Sequence, residues 1–360
     1  MGYDLVSLPV AIFFVLCGSG LFYYAIKLKQ KYPLDHNFTN SILTFFLWIT
    51  AGIAYPLFFS AYNPNIRYFQ MLSTFFICIF TPSLIFLILF FQYKFVVKKH
   101  PDIREKRNIE TFLLKFNQKK SQNSDARSQK LRTDIHRKAL HFFPAGIIIF
   151  LWIFAVYIWD DLWQSDLVWG VSGKEFGRFL ILTAGYSGII VFGALDYVRL
   201  SFIYEKHNSF HLIPSNVLNL LGKSMKYKEN FEFIRPTVLA LSFAPIFFFP
   251  FGIFASAILI ATLGDGAASV LGLKYGRFKF PKSSEKTLIG YIAGFLASFG
   301  IGLGIISVFE PTLLLSKIIL IAVSGGFTFF LIDLSNLNID DNILNPIFCA
   351  LVMGSLYFLI

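Results

Sequence analysis

A chain of 360 residues that is 56% apolar, 18% aromatic and only 15% charged, with a mean hydropathy of +0.63, does not have the composition of a water-soluble globule. Its net charge of +11 is concentrated in one stretch, and no nucleic-acid partner is expected. Apolar runs of roughly 20 residues recur, the length a helix needs to cross the hydrocarbon core, so the expected fold is an all-α, polytopic integral membrane helix bundle of about 9–10 transmembrane helices.

In chain order, spans are predicted near 5–26, 41–60, 69–93, 139–158, 179–195, 288–308, 312–332 and 343–360. The first run lacks a basic leader and a cleavage site, and reads as a retained span rather than a signal peptide. Asn37-Phe38-Thr39 matches a glycosylation acceptor but falls on the side of the membrane where none is added. Cys17, Cys78 and Cys349 lie inside spans without metal-ligand spacing and read as small apolar residues. The block 237–263 is 27 residues long, either one tilted helix or two limbs turning between Pro245 and Pro250.

Charge then orients the chain. Residues 94–138 hold 14 Lys/Arg against 5 Asp/Glu, and Lys27, Lys29 and Lys31 follow the first span, whereas the links near 159–178 and 309–311 are acidic. The positive-inside tendency places the basic links in the cytoplasm and the N-terminus outside. A basic link at 264–287 is also cytoplasmic only if 237–263 is two-limbed, which gives ten crossings. A Lys/Arg-rich loop is first of all a topology signal and a contact for anionic headgroups. Its polar middle, Gln118–Gln129, reads as a mobile linker. The expected organisation is an N-terminal three-span unit (1–93), a basic cytoplasmic loop (94–138) and a catalytic membrane unit (139–360).

Four polar clusters fall on the cytoplasmic side. Arg137, Lys138 and His141 open the fourth span, with Arg137 and His141 sharing a helical face. Asp196 and Arg199 leave the fifth, at the spacing of a local ion pair. Gly264-Asp265-Gly266-Ala267-Ala268-Ser269 reads as a small-residue turn whose backbone can approach a phosphate, with Lys274, Arg277, Lys282, Lys286 and Thr287 beyond it. Asp333, Asp340 and Asp341, with Asn342 and Pro346, form the last. Carboxylates at the ends of apolar spans cost roughly 2.5–3.5 kcal/mol each if drawn to mid-bilayer and are usually partnered or functional. A hard cation such as Mg²⁺ suits them.

This pattern resembles the CTP-dependent polyprenol kinases (dolichol kinase, phytol kinase and the CTP-using diacylglycerol kinase), which are related to the membrane cytidylyltransferases that make CDP-lipids. The resemblance covers about residues 131–360 and rests on Arg137-Lys138-x-x-His141, Asp196…Arg199, Gly264-Asp265-x-x-Ala268-Ser269-x-x-Gly272-x-x-x-Gly276, Lys286-Thr287 and Asp340-Asp341-Asn342 ahead of Pro346. One position departs: the family usually has an acidic residue before the glycine that follows the Lys-Thr pair, and here Ile289 precedes Gly290, with Glu285 just upstream.

The resemblance implies transfer of the γ-phosphoryl group of CTP to the terminal hydroxyl of a long isoprenoid alcohol at the cytoplasmic face of a prokaryotic cytoplasmic membrane or an endoplasmic reticulum. It implies Mg²⁺ on Asp265, Asp340 and Asp341. Gly264, Gly266, Ser269, Lys274, Arg277, Lys282, Lys286 and Thr287 would line the nucleotide, and Arg137, Lys138, Asp196 and Arg199 the lipid headgroup. Asp265, His141 and Asp333 would be catalytic, with His141 or Asp333 orienting the lipid hydroxyl or taking its proton. Two alternatives remain open: a CDP-lipid synthase, whose late motif is typically Asp-Arg-x-x-x-Asp rather than Asp-Asp-Asn, and a secondary transporter.

Overall fold

The computed structural model describes residues 5–59, 64–114, 126–281, 286–335 and 337–359. Among them nine helices are long and apolar enough to cross a membrane: α1 Leu8–Lys31, α2 Phe38–Phe58, α3 Pro64–Val97, α4 Leu131–Leu162, α5 Gly173–Ile203, α6 Phe251–Tyr275, α7 Leu288–Phe309, α8 Leu315–Ser335 and α9 Asp341–Leu359. There is no strand among the described residues, only an isolated bridge between Lys279 and Thr287. The all-α polytopic bundle is the fold that internal satisfaction of backbone hydrogen bonds in lipid requires.

All eight expected spans have a helix. The ambiguous block does break between Pro245 and Pro250, into Arg235–Ile246 and α6. The first limb has 12 residues, about 18 Å of rise, well short of a bilayer core of about 30 Å. The second limb differs from expectation, because it runs on to Tyr275 and takes in the Gly-Asp-Gly segment that the sequence suggested was a turn. Asn37 of the glycosylation triplet caps α2, its side chain accepting from Asn40 N.

The chain divides into two compact units, not at residues 93 and 138 but as 1–123 with 147–241, and 124–146 with 242–360. The physical reason lies on α5, which belongs with the first three spans. Tyr197 donates to Cys17 O of α1 (2.8 Å), Tyr186 to Ala51 O of α2 (2.7 Å), and Thr183 to Ser73 Oγ of α3 (2.8 Å). Phe14, Trp48, Tyr55 and Tyr186 pack around these tethers in tilted ring contacts.

Among its described residues, the basic 94–138 stretch includes helix as well as loop. Asp102–Lys106 is helical, and Arg107 donates to Gln92 Oε1 (3.2 Å), Ser215 Oγ (3.1 Å) and Ile213 O (3.3 Å). Within Gln118–Gln129, residues 118–125 lie outside the described residues and 126–129 open the helix Ala126–Ile153.

The second unit is packed through glycines. A Cβ on Gly302 would meet Ala322 Cα at 3.1 Å, one on Gly325 would meet Met353 Sδ at 2.5 Å, and one on Gly294 would meet Ala268 Cβ at 2.9 Å. Small residues at such contacts let membrane helices approach closely, where dispersion replaces the missing hydrophobic drive.

In the first unit His36, in the link between α1 and α2, is 3% exposed. Its Nδ1 lies 2.7 Å from Phe231 O, and its Nε2 lies 3.3 Å from Ser41 Oγ. Burial, with Lys29 adding to it, lowers the His36 pKa, so the folded state holds the ring neutral. The sign follows: this contribution is complete above the ordinary imidazole value of about 6.5 and is lost as pH falls through the lower folded value. Thermal stability in detergent should therefore drop on acidification, and the gap between wild type and His36→Gln should narrow below about pH 6. A gap that stays constant from pH 8 to pH 5 would contradict this account.

Candidate functional site

The candidate site is built in the second unit, at the end where α4, α7 and α9 begin and α6 and α8 finish. On α4 Asp134, the adjacent Arg137 and Lys138, and His141 lie three or four residues apart along one face and are all buried, while Ile135 (47%), Phe142 (38%) and Phe143 (64%) are exposed. From Arg137 onward the helix is thus inverted, polar towards the protein and apolar outward, as a helix bordered by lipid should be, whereas nearer its start Arg132, Thr133 and His136 are exposed.

Asp134 accepts from Arg137 Nη2 (2.6 Å) through Oδ1 and from Ser269 Oγ through Oδ2. Lys138 donates to Asp265 Oδ2. Asp265 and Ser269 are one turn apart, so α4 and α6 are joined along matching faces. Gly266 lies under this junction, where a Cβ would sit 3.8 Å from that of Lys138.

Asp265 follows directly on a widened π-turn, Ile260–Gly264, inside α6. Such turns are frequent where a helix carries function. The glycines do not form a phosphate cradle. Gly264 has helical φ −60°, and a Cβ there would meet Ser298 Oγ of α7 at 2.6 Å. At membrane depth the amides of this segment are committed to the helix, so its glycines serve packing and not anion binding.

A second ion pair joins α8 to the start of α7. Lys286 Nζ donates to Asp333 Oδ1 (2.6 Å) and Asp333 O (2.7 Å). Thr287 caps α7, its Oγ1 accepting from Gly290 N (3.3 Å). The 276–287 link turns back on itself, with Phe280 N to Lys286 O and Leu288 N to Phe278 O both at 3.0 Å. The Asp333 carboxylate lies within electrostatic reach of Asp265 and Asp341. At the head of α9, Asp340 Oδ1 accepts from Asn342 N (3.0 Å) and Nδ2 (2.6 Å). Asp340 is therefore engaged as a helix cap, a different task from the metal ligation expected of it.

Of the expected site residues, the fold brings together Arg137, Lys138, Asp265, Ser269, Lys286, Asp333 and Asp341, with His141 one turn further along the buried face of α4. Lys274 and Arg277 are exposed beyond them, and Lys274, nine residues after Asp265, is about 14 Å further along the helix. Lys282 and Glu285 lie outside the described residues. Ile289 is exposed (38%) on the first turn of α7. Asp134 was missed by the sequence reading, although its place three residues before Arg137 on the inward face was a usable signal. Asn345 was missed too. It is 2% exposed, four residues after Asp341 on the same face, and its Oδ1 has no hydrogen-bond partner among the described residues.

Among the described residues no three His, Cys, Asp or Glu side chains converge as a metal cluster. The donor chemistry nonetheless fits Mg²⁺, which takes hard oxygens and is commonly held by one or two carboxylates together with phosphate oxygens and water. No family model, no curated protein and no solved structure matches the chain.

Asp196 and Arg199 belong to the first unit and are 0% and 1% exposed. Arg199 donates to Asp196 Oδ1 (2.7 Å), Asn230 O (2.8 Å) and Glu232 O. Asp196 accepts from Ile234 N (3.1 Å) and Thr237 Oγ1 (3.3 Å). This closed network holds the 229–237 segment, a scaffold role in place of the headgroup contact expected. Arg199→Met should accordingly destabilise the protein by about 3–5 kcal/mol, because it leaves a buried carboxylate and several carbonyls unpaired. The check is thermal unfolding in detergent. Unchanged stability with impaired lipid binding would restore the headgroup assignment.

Proposed function

We propose that the protein is a CTP-dependent lipid kinase that phosphorylates the terminal hydroxyl of a long-chain, dolichol-like isoprenoid alcohol at the cytoplasmic face of the membrane. One observation carries the reading: two partly buried Lys–Asp pairs, Lys138–Asp265 and Lys286–Asp333, gather with Asp341 at one end of spanning helices. Phosphoryl transfer from a nucleotide is chiefly positioning and neutralisation of charge, and ammonium groups beside carboxylates supply both signs. The positive-inside tendency of the basic 94–138 stretch supports a cytoplasmic location for that end, where CTP is found.

In this scheme the hydroxyl oxygen of the alcohol attacks the γ-phosphorus, the bond from that phosphorus to the β–γ bridging oxygen breaks, and CDP leaves. Asp333 or His141 receives the hydroxyl proton. Lys138 and Lys286 neutralise phosphate charge. Arg137, fixed by Asp134, points the basic face of α4 inward. Mg²⁺, held by one or two of the carboxylates Asp265, Asp333 and Asp341 together with phosphate oxygens and water, would supply further neutralisation of the triphosphate. The apolar faces of the spans accommodate the isoprenoid chain, leaving only its head at the polar end.

The test is lipid labelling by the purified protein, with Mg²⁺, mixed prenols and prenyl phosphates, and CTP labelled at either the γ- or the α-phosphate. Label from the γ position alone in an organic-soluble product is expected. Label from the α position would make the chain a CDP-lipid synthase, and no label with folded protein would favour transport. Asp265→Asn is expected to lower kcat by roughly 10²–10³-fold while the protein remains monodisperse. Near-normal turnover would remove Asp265 from the chemistry.

A further inference from the structure

We infer that Lys138 and Lys286 are exchangeable counter-ions, which hold the site's carboxylates closed against a divalent cation until a polyphosphate draws them away. The inference rests on the proposed reading of the site and adds how that site is controlled.

Asp265 carries the ammonium of Lys138, and Asp333 that of Lys286. With both lysines in contact, a divalent cation meets like charge at each carboxylate. A polyphosphate offers both ammonium groups new anionic partners and arrives with its own divalent cation. Two single positive charges then leave two carboxylates as one double charge takes their place. The positive charge facing the two carboxylates is unchanged by the exchange, so neither is left bare towards the hydrocarbon.

Two further observations favour exchange over permanent pairing. Asn345 Oδ1 is a hard oxygen with no hydrogen-bond partner among the described residues, buried beneath Asp341 and suited to a cation or to one of its waters. The type of cation also differs from that of the scaffold. Arg199 is fixed by a forked guanidinium on several backbone carbonyls, whereas the site uses lysines, compact charges on flexible stems. The Lys286 side chain is already 37% exposed and has room to turn.

The experiment is Mn²⁺ binding to the full-length protein in detergent, read from the free Mn²⁺ signal in electron paramagnetic resonance, without nucleotide or lipid. Wild type is compared with Lys138→Met, Lys286→Met and the double variant Lys138→Met/Asp265→Asn, each first shown to be monodisperse. Removing a cation in contact with a ligand carboxylate should tighten Mn²⁺ binding at least about tenfold, the scale on which a neighbouring charge acts at 4–6 Å. The Asp265→Asn change should cancel the gain in the double variant. Unchanged Mn²⁺ affinity in both single lysine variants would overturn the inference, and so would a gain that survives Asp265→Asn.

Because CTP and lipid are absent from this measurement, its outcome is independent of the labelling experiment. Tightened Mn²⁺ binding without γ-label transfer would leave the exchange standing and remove the kinase reading. Label transfer with unaltered Mn²⁺ binding would do the reverse.

Discussion

The organisation of the second unit depends on one constraint: an ionised side chain on a membrane-spanning helix must find its counter-charge within the protein, because the hydrocarbon supplies none. Asp265 sits ten residues before the end of α6, one of the helices long and apolar enough to span a membrane. Lys138 meets it from α4, and that pairing fixes which face of α4 turns inward. Once the face is fixed, Asp134, Arg137 and His141 must follow it, and the apolar Ile135, Phe142 and Phe143 are left outside. The inverted amphipathicity of α4 is thus a consequence of Asp265 and not an independent feature.

Glycine makes the arrangement possible in a second way. Carboxylates on α6 and α8 can influence one another only if α6, α7 and α8 pack closely, and side chains of ordinary size would hold their axes about 8–10 Å apart. Gly264 against Ser298, Gly272 against Gly290 and Gly302 against Ala322 remove the intervening Cβ atoms. The π-turn before Asp265 then changes the angle at which that side chain leaves the helix, since one extra residue in a turn rotates every later position relative to the earlier ones.

Much of this was legible in the sequence, because it depends on spacing and hydropathy. Eight spans, the proline break after Arg235–Ile246 and the grouping of Arg137, Lys138, Asp265, Lys286 and Asp333 all follow from runs of apolar residues and the polar groups at their ends. The glycines were misread for a definite reason. Gly264-Asp265-Gly266 is equally compatible with a tight turn and with close helix packing, and only the partner helix, Ser298 opposite Gly264, decides between them. Asp340 and Asp341 are adjacent in sequence, yet the Asp340 carboxylate caps α9 while Asp341 lies within electrostatic reach of Asp333, a division that becomes visible only once the first turn of the helix is placed. Asp196 and Arg199 were misassigned because a spacing of three describes any local ion pair. What sets them apart is a set of backbone groups more than thirty residues away.

That contrast separates two kinds of buried charge in one chain. Arg199 is held by carbonyls of the main chain and Asp196 by a main-chain amide, partners that cannot withdraw without unfolding the segment that carries them. The charged atoms of Lys138 and Asp265 meet through side chains on neighbouring helices, and the cost of parting them is rotameric once another ion of the right sign is at hand. Charge tied to backbone builds the scaffold, because its release is coupled to local unfolding. Charge tied to side chains can be traded, because its release is coupled only to the arrival of a competing ion. The proposed nucleotide site would need the second kind, and the Lys138–Asp265 and Lys286–Asp333 pairs at the polar end of the second unit are of that kind.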